Sequence, residues 1–378
     1  MYSLAEFGNM IGDVARVEAH VEAFRRVVTS GSAVLDIGAG TGIMSLLACR
    51  AGARRVYAVE PSGAVQLLIE TARANGYADR VVVLQRRSTE VTLPEPVDVI
   101  VSDLRGVLPP RASHFSDVAD ARRRLLAPGG VLLPARDDLW AAVVAAPAAF
   151  AESRDVWESR PYGLDLRSTL AYVENTPQKH RARPPELLCE PLRWATLDYS
   201  TLDGMAVRGA GTSVIARGDV AHGLLLWFET TLVEGVGYTA GPGTDGIYGQ
   251  MLFAWPEAVA LEPGDRVSFD LRADPVGGDY IWTWETEILR GRGGASRFRQ
   301  STFKSLLPTA GGLAKRAATY VPALSGEGEG VLDVLAGMRA GLTIGDLARR
   351  LREARPGRFA SLDEAHGFVA AIVEHYGA

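Results

Sequence analysis

Cysteine is scarce. The 378 residues include two, Cys49 and Cys189, which excludes a disulfide framework and a cysteine-rich zinc site. The six histidines show no H-x₃-H spacing, so no metal site is expected. Long apolar runs are missing as well. The densest, LWAAVVAAPAAFA at 139–151, is short and interrupted by Pro147, well under the ~18 residues that a membrane span needs. The opening MYSLAEFGNM has no basic stretch ahead of an apolar one, so no secretory leader is expected. A basic excess is also lacking: 40 Lys and Arg face 45 Asp and Glu, for a net charge of −5. Phosphate backbones therefore exert no global pull. These absences predict a cytoplasmic chain with no nucleic-acid and no membrane partner. What is present, 47% hydrophobic and 22% charged residues, suffices for a large folded core.

Three textures follow one another. In the first, AVLDI (33–37), RVYAVE (55–60), RVVVLQ (80–85) and VDVIVSD (97–103) read as strands separated by helical stretches, the alternation of a mostly parallel sheet. A helix over 13–29 precedes them, with Val14, Val17, Val21, Phe24 and Val28 on one predicted face. In the second, short strands recur between Gly and Pro, as in GLLLWFETTL (223–232) and YIWTWETEIL (280–289). This predicts an antiparallel barrel or sandwich. Trp282 and Trp284 fall on one face of the last strand, a core position. In the third, residues 331–378 read as a small helical unit, with Thr343 and Ser361 as helix caps.

The most informative stretch is VLDIGAGTGIMSLLACRAGARRVYAVEP (34–61). A hydrophobic strand ends at Asp36, and Gly38, Gly40 and Gly42, with Ala39 between them, permit a tight turn that a ligand can approach closely. The next strand ends in Glu60, followed by Pro61. An acid there accepts hydrogen bonds from ribose hydroxyls in nucleoside-binding α/β folds. A dinucleotide turn would read G-x-G-x-x-G; G-x-G-x-G leaves little room for a pyrophosphate. The pattern fits adenosine joined to an amino acid, which is S-adenosylmethionine.

Over roughly 2–305 the sequence resembles the protein arginine methyltransferase family. The matching stretches are MIGDVARVEAH, the glycine-turn segment above, VDVIVSD followed by DARRRLLAPGGVLLP (120–134), and WESRPYGLDL (157–166). The resemblance implies a seven-stranded Rossmann-like methyltransferase domain, an antiparallel β-barrel domain and, beyond it, the small helical unit. Boundaries are expected at 1–30 for cofactor-covering helices, 31–145, 146–309, a 310–330 linker, and 331–378 for a winged-helix-like unit. Carried across, Arg16 would hold the methionine carboxylate, Met10 would pack near the sulfonium, and Glu60 would bind ribose. Asp36 and residues 38–42 would shape the methionine pocket, and Ser88 and Thr89 would lie at the adenine. A homodimer is implied, with an arm starting near QKHRARPP (178–185).

The chain departs from the family where the acceptor binds. The family's loop carries two glutamates; here it reads Ser102-Asp103-Leu104-Arg105-Gly106, and the second acid position is Ala112. The family's Thr-His-Trp becomes Gly246-Ile247-Tyr248. Guanidinium, with a pKa above ~12 and no free lone pair, needs a carboxylate pair to be methylated. The sequence therefore predicts transfer to a neutral N or O nucleophile of a small-molecule, peptide or natural-product acceptor. Arginine methylation by a degenerate loop is the alternative, and a non-catalytic cofactor-binding scaffold the third reading. Asp103, His114 and Tyr248 are the catalytic candidates, and Arg105 is the candidate for an anionic substrate group.

Overall fold

A capping box starts the first helix. The Ser3 hydroxyl accepts the Glu6 N–H at 3.3 Å, and the Glu6 carboxylate accepts the Ser3 N–H at 2.7 Å, which opens α1 (Leu4–Gly12). The computed structural model describes residues 2–307, 309–315 and 317–377. Asp13 caps α2 (Val14–Val27) by accepting the Arg16 N–H at 3.2 Å. The buried face of α2 is Arg16, Ala19, His20, Ala23 and Phe24; of the expected stripe, Phe24 and Val28 are buried and Val17 and Val21 pack against the same core. Val14 is 62% exposed, because the helix turns its charged Arg16 inward to meet a buried acid.

Five parallel strands follow: β1 (Ala33–Ile37), β2 (Arg55–Val59), β3 (Val81–Leu84), β4 (Val97–Ser102) and β5 (Leu126–Leu133), in the order β3-β2-β1-β4-β5. The crossovers are α3 (Ile43–Arg50), α4 (Val65–Ala74) and α5 (His114–Arg124). All five residues of β1 are buried, as befits a central parallel strand covered on both faces. Seven strands are expected of such a sheet; five are present among the described residues. The next strand, β6 (Arg136–Val144), pairs antiparallel with strands of the second region, so that region begins before the expected boundary at 145.

After α6 (Pro147–Glu158) and α7 (Leu170–Val173) come β7 (Gln178–His180), β8 (Leu192–Asp198), β9 (Val207–Val214), β10 (Asp219–Val233) and β11 (Val236–Thr239). They are followed by β12 (Gln250–Leu261), β13 (Arg266–Val276), β14 (Asp279–Leu289) and β15 (Ala295–Ser301). They form two antiparallel sheets, β7-β12-β10-β6-β8 with β11 on β10, and β15-β14-β13-β9. Inward residues of both, among them Phe228, Phe253, Trp255 and Trp284, share one core. On β14, Tyr280, Trp282, Trp284 and Thr286 alternate inward, as the period-two pattern predicts. The segment expected to open a dimer arm is instead β7, paired to Gln250–Leu252. Gln250 fixes it by accepting the Ala182 N–H at 2.8 Å.

The chain divides into two compact units, Met1–Leu306 and Leu307–Ala378. The second holds α8 (Ala310–Ala314), α9 (Gly326–Arg339), α10 (Ile344–Ala354) and α11 (Leu362–Tyr376). Thr343 and Ser361 cap α10 and α11, accepting the Asp346 and Glu364 N–H groups at 3.2 and 3.1 Å. The last three helices close on Val334, Leu347, Leu351, Phe359, Val369 and Ile372. Its described residues form no strand, so the expected winged-helix form, which requires a hairpin wing, is corrected to a bundle of three helices. α9 begins inside the segment expected to be linker. Among the described residues no helix is long and apolar enough to cross a membrane.

Candidate active site

A cleft of about 1300 Å³ opens at the carboxyl ends of β1, β2 and β4 and runs between α1 and the turn before β12. Open α/β sheets bind ligands at this edge. At one end, Gly38 and Gly40 take φ of +74° and +54°, a left-handed backbone that glycine adopts without strain. A Cβ on Gly40 would lie 2.8 Å from Phe7 Cε1. Glu60 is tied to this turn: its carboxylate accepts the Gly40 N–H at 3.0 Å and the Ser62 N–H at 2.9 Å. Asp36 is buried and accepts the Ser45 hydroxyl at 2.6 Å. Burial pushes its carboxyl up to about 6, against the pull of the Ser45 hydrogen bond. The Ser45 backbone N–H pulls the same way. A glycine cradle, an acid at a strand end and a buried carboxylate match the turn, ribose and ammonium ends of S-adenosylmethionine.

Met10, Arg16, Asp36, Gly38, Ala39, Gly40, Glu60, Pro61 and Ser88 all line the cleft. Gly42 and Thr89 do not. Gly42, at φ +94°, starts α3, and a Cβ on it would meet Leu68 at 2.7 Å. Thr89 is exposed.

Asp103 and Tyr248 meet at the other end. The Tyr248 hydroxyl donates to Asp103 Oδ1 at 2.5 Å, and Arg16 Nε donates to Oδ2 at 2.5 Å. Burial alone would raise the Asp103 carboxyl, but Arg16 and Arg105 hold it well below the usual carboxylate range. Burial first, and then the Asp103 charge, push the Tyr248 hydroxyl well up.

Arg105 does not face a substrate; its side chain is 0% exposed. Nη1 donates to Asp137 Oδ1 at 2.8 Å and to the Thr230 hydroxyl at 2.6 Å. Nε and Nη2 donate to Asp103 Oδ1 at 3.2 and 3.0 Å, and Nη2 also to the Tyr238 hydroxyl. The rings of Phe228 and Tyr238 lie 5.3 and 5.6 Å from the guanidinium carbon. Two carboxylates, two hydroxyls and two rings thus form a complete guanidinium site, filled by the chain's own Arg105. The expected substrate contact is corrected accordingly.

His114 is buried with its Nε2 3.1 Å from the Tyr199 hydroxyl, whose proton goes to Asp137 Oδ2 at 2.7 Å. Nε2 therefore carries the hydrogen and Nδ1 the lone pair. Burial, then the Arg105 charge, lowers this imidazole to about 3. A general base is expected near neutrality, so the structure does not support that role. Ala112 is exposed, at φ +44°. Asp137, Thr230, Tyr199 and Tyr238 escape a reading by motif. Their one signal is Asp137-Asp138, two acids after Arg136 at the mouth of a strand that is apolar from Leu139 on.

The parallel sheet with this cleft defines an S-adenosylmethionine-dependent methyltransferase, and residues 15–131 match the family model described as ribosomal protein L11 methyltransferase. Protein arginine N-methyltransferase 6 of Xenopus tropicalis is 32% identical over 282 residues, 70% of this chain and 82% of that protein. A probable protein arginine N-methyltransferase 6 of Arabidopsis thaliana is 33% identical over 232 residues, 58% of this chain; the chain spans about half, 52%, of that relative. The chain belongs to the protein arginine N-methyltransferase family. Among solved structures, the Trypanosoma brucei PRMT1 enzyme–prozyme heterotetrameric complex with AdoHcy superposes with a TM-score of 0.72 at 19% identity, over 78% of this chain and 97% of that one. Arabidopsis thaliana protein arginine methyltransferase 10 gives 0.69 at 22% identity, over 79% and 97%.

Proposed function

We propose that the chain methylates a nitrogen or oxygen nucleophile on a protein or peptide, and that this nucleophile is not a guanidinium. S-adenosylmethionine supplies an activated methyl group when bound. Glu60 would hold its ribose, Asp36 its ammonium and Arg16 its carboxylate, while the turn at 38–40 admits it closely. Asp103 and Tyr248 would wall the acceptor end and exclude water from it. The relatives' named activity speaks for a protein acceptor over the small molecule that the sequence first suggests.

One observation carries the exclusion of guanidinium: Arg105 already occupies Asp103 and Asp137. The charges of Arg16 and Arg105 balance those two acids. A substrate guanidinium would arrive with its charge uncompensated, and Ala112 offers nothing to hold it. The relatives' names favour the second reading, arginine methylation. Mass spectrometry of arginine–glycine-rich peptides after incubation with S-adenosylmethionine decides between the two. No added methyl on arginine is expected, and robust arginine methylation would overturn the first reading.

A further inference from the structure

The acceptor end of the cleft carries exposed cations. Lys179 and Arg181 line it from either side of His180. Both lie over Gly249, where a Cβ would come within 3.2 Å of Lys179 Cε and 3.5 Å of Arg181 Cγ. Lys179 Nζ donates to the Ile247 carbonyl and Arg181 Nη1 to the Gly246 carbonyl, each at 2.7 Å. The pair thus brackets the turn that delivers Tyr248 to Asp103. Arg111 lines the same cleft, and its Nη1 donates to the Tyr2 hydroxyl at 3.2 Å. Among the described residues, none of the three has a carboxylate within 4.0 Å. Each keeps unused N–H donors. The acids nearby are Asp13, which accepts the Ile247 N–H at 2.9 Å, Glu6 and Asp245, on the same lining, and Asp117, which accepts the Ser113 hydroxyl at 2.7 Å.

Asp103 is filled by Arg16, Arg105 and Tyr248. The Tyr248 proton points at Asp103, and His114 is bound to Tyr199. A hydroxyl or an ammonium must lose a proton before it attacks, and Asp103 and Tyr248, which wall this end, are already engaged. A carboxylate arrives deprotonated, bears the charge that the three cations lack, and needs no base.

We propose that the acceptor is a carboxylate of a peptide or protein, drawn in by Lys179, Arg181 and Arg111 and converted to a methyl ester. The inference rests on the reading above. In the step, a carboxylate oxygen lone pair forms the O–CH₃ bond while the S–CH₃ bond breaks and its electron pair stays on sulfur. The sulfonium becomes a neutral thioether and the carboxylate a neutral ester; no proton moves.

The test uses the full chain, methyl-tritiated S-adenosylmethionine and a pool of random-sequence peptides, beside the same pool with every carboxylate converted to an amide. Label is expected in the first pool alone, released as volatile methanol by mild alkali. Lys179→Glu/Arg181→Glu is expected to lower kcat/KM for the pool roughly tenfold, and peptide retention on the immobilised protein with it, while S-adenosylhomocysteine affinity stays within about twofold. Alkali-stable label on arginine would overturn both this inference and the proposed function. Alkali-stable label on lysine, histidine or a hydroxyl would overturn this inference alone. Volatile label with the double variant at the wild-type rate would overturn the role of the cations. No label in either pool, with calorimetric S-adenosylhomocysteine binding intact, would overturn the carboxylate acceptor.

Discussion

The two ends of the cleft are built by opposite means. The cofactor end is local: a strand, a glycine turn, a helix and a second strand, all within residues 34–61, with Glu60 held by two backbone N–H groups. The acceptor end is assembled from side chains that meet only after folding. Asp103 and Arg105 follow β4, Asp137 and Thr230 sit opposite each other across β6 and β10, and Tyr238 and Tyr248 stack with ring centroids 6.2 Å apart. Backbone donors tolerate change around them, whereas a buried charge network fails when one member is removed.

The largest effect should come from that network. Arg105→Met is expected to lower the unfolding free energy by roughly 3–5 kcal/mol, because Asp103 and Asp137 are left buried with broken partnerships. Urea denaturation checks it. Adding Asp137→Ala should recover part of the loss, since one stranded charge is then gone. A single-variant loss below about 1 kcal/mol would mean that the acceptor end tolerates deletion as well as the cofactor end does.

His114 gives the next effect, through acid. Its folded pKa is lowered to about 3 by burial, while the unfolded imidazole titrates near ~6.5. As pH falls below ~6.5 the unfolded chain gains a proton that the folded one does not, so stability falls. His114→Phe should remove up to one proton from that slope, about 2.3 kcal/mol between pH 6.5 and 4.5. Denaturation midpoints at several pH values measure this, and equal slopes would place His114 in contact with solvent.

Glu60→Ala tests the cofactor end. A charged hydrogen-bond partner is lost there, so S-adenosylhomocysteine affinity should fall by ~1.5–3 kcal/mol in calorimetry, with little change in fold. An unchanged dissociation constant would remove Glu60 from the ribose site. Asp36 adds a smaller, pH-dependent term. With its carboxyl near about 6, it must shed a proton below that pH before it can pair with an ammonium group. Affinity should weaken by up to about tenfold per pH unit below 6, and Asp36→Asn should flatten the profile.

The contrast also explains what the sequence reveals. Asp36, the turn at 38–40 and Glu60 are legible because spacing along the chain fixes their geometry. The parallel alternation and the inward tryptophans of β14 are legible through their periods. Arg105 is misread as a substrate contact because its partners, Asp137, Thr230 and Tyr238, lie in strands brought alongside by long-range pairing. A lone arginine beside a cleft looks the same in sequence whether it faces the ligand or the core. Val14 leaves the otherwise inward stripe of α2 for the same reason: Arg16 finds Asp103 eighty-seven residues away, and the helix turns that side chain inward.

The smallest expected effect separates the two accounts of the altered loop. If the missing second acid alone had abolished arginine chemistry, Ala112→Glu would restore it. Ala112 is exposed and already sits at φ +44°, so a longer side chain costs little stability there. The internal guanidinium would remain between Asp103 and Asp137, however, and still neutralise the pair that a substrate needs. Ala112→Glu by itself should therefore leave arginine-peptide methylation at background in a mass-spectrometric assay. Arg105→Met combined with Ala112→Glu vacates the inner site and supplies the outer acid, and should raise arginine methylation above that background if the double variant folds by circular dichroism. Activity from Ala112→Glu alone would show that Arg105 is not the barrier, and the acceptor end would then differ from the family by one residue and not by a network.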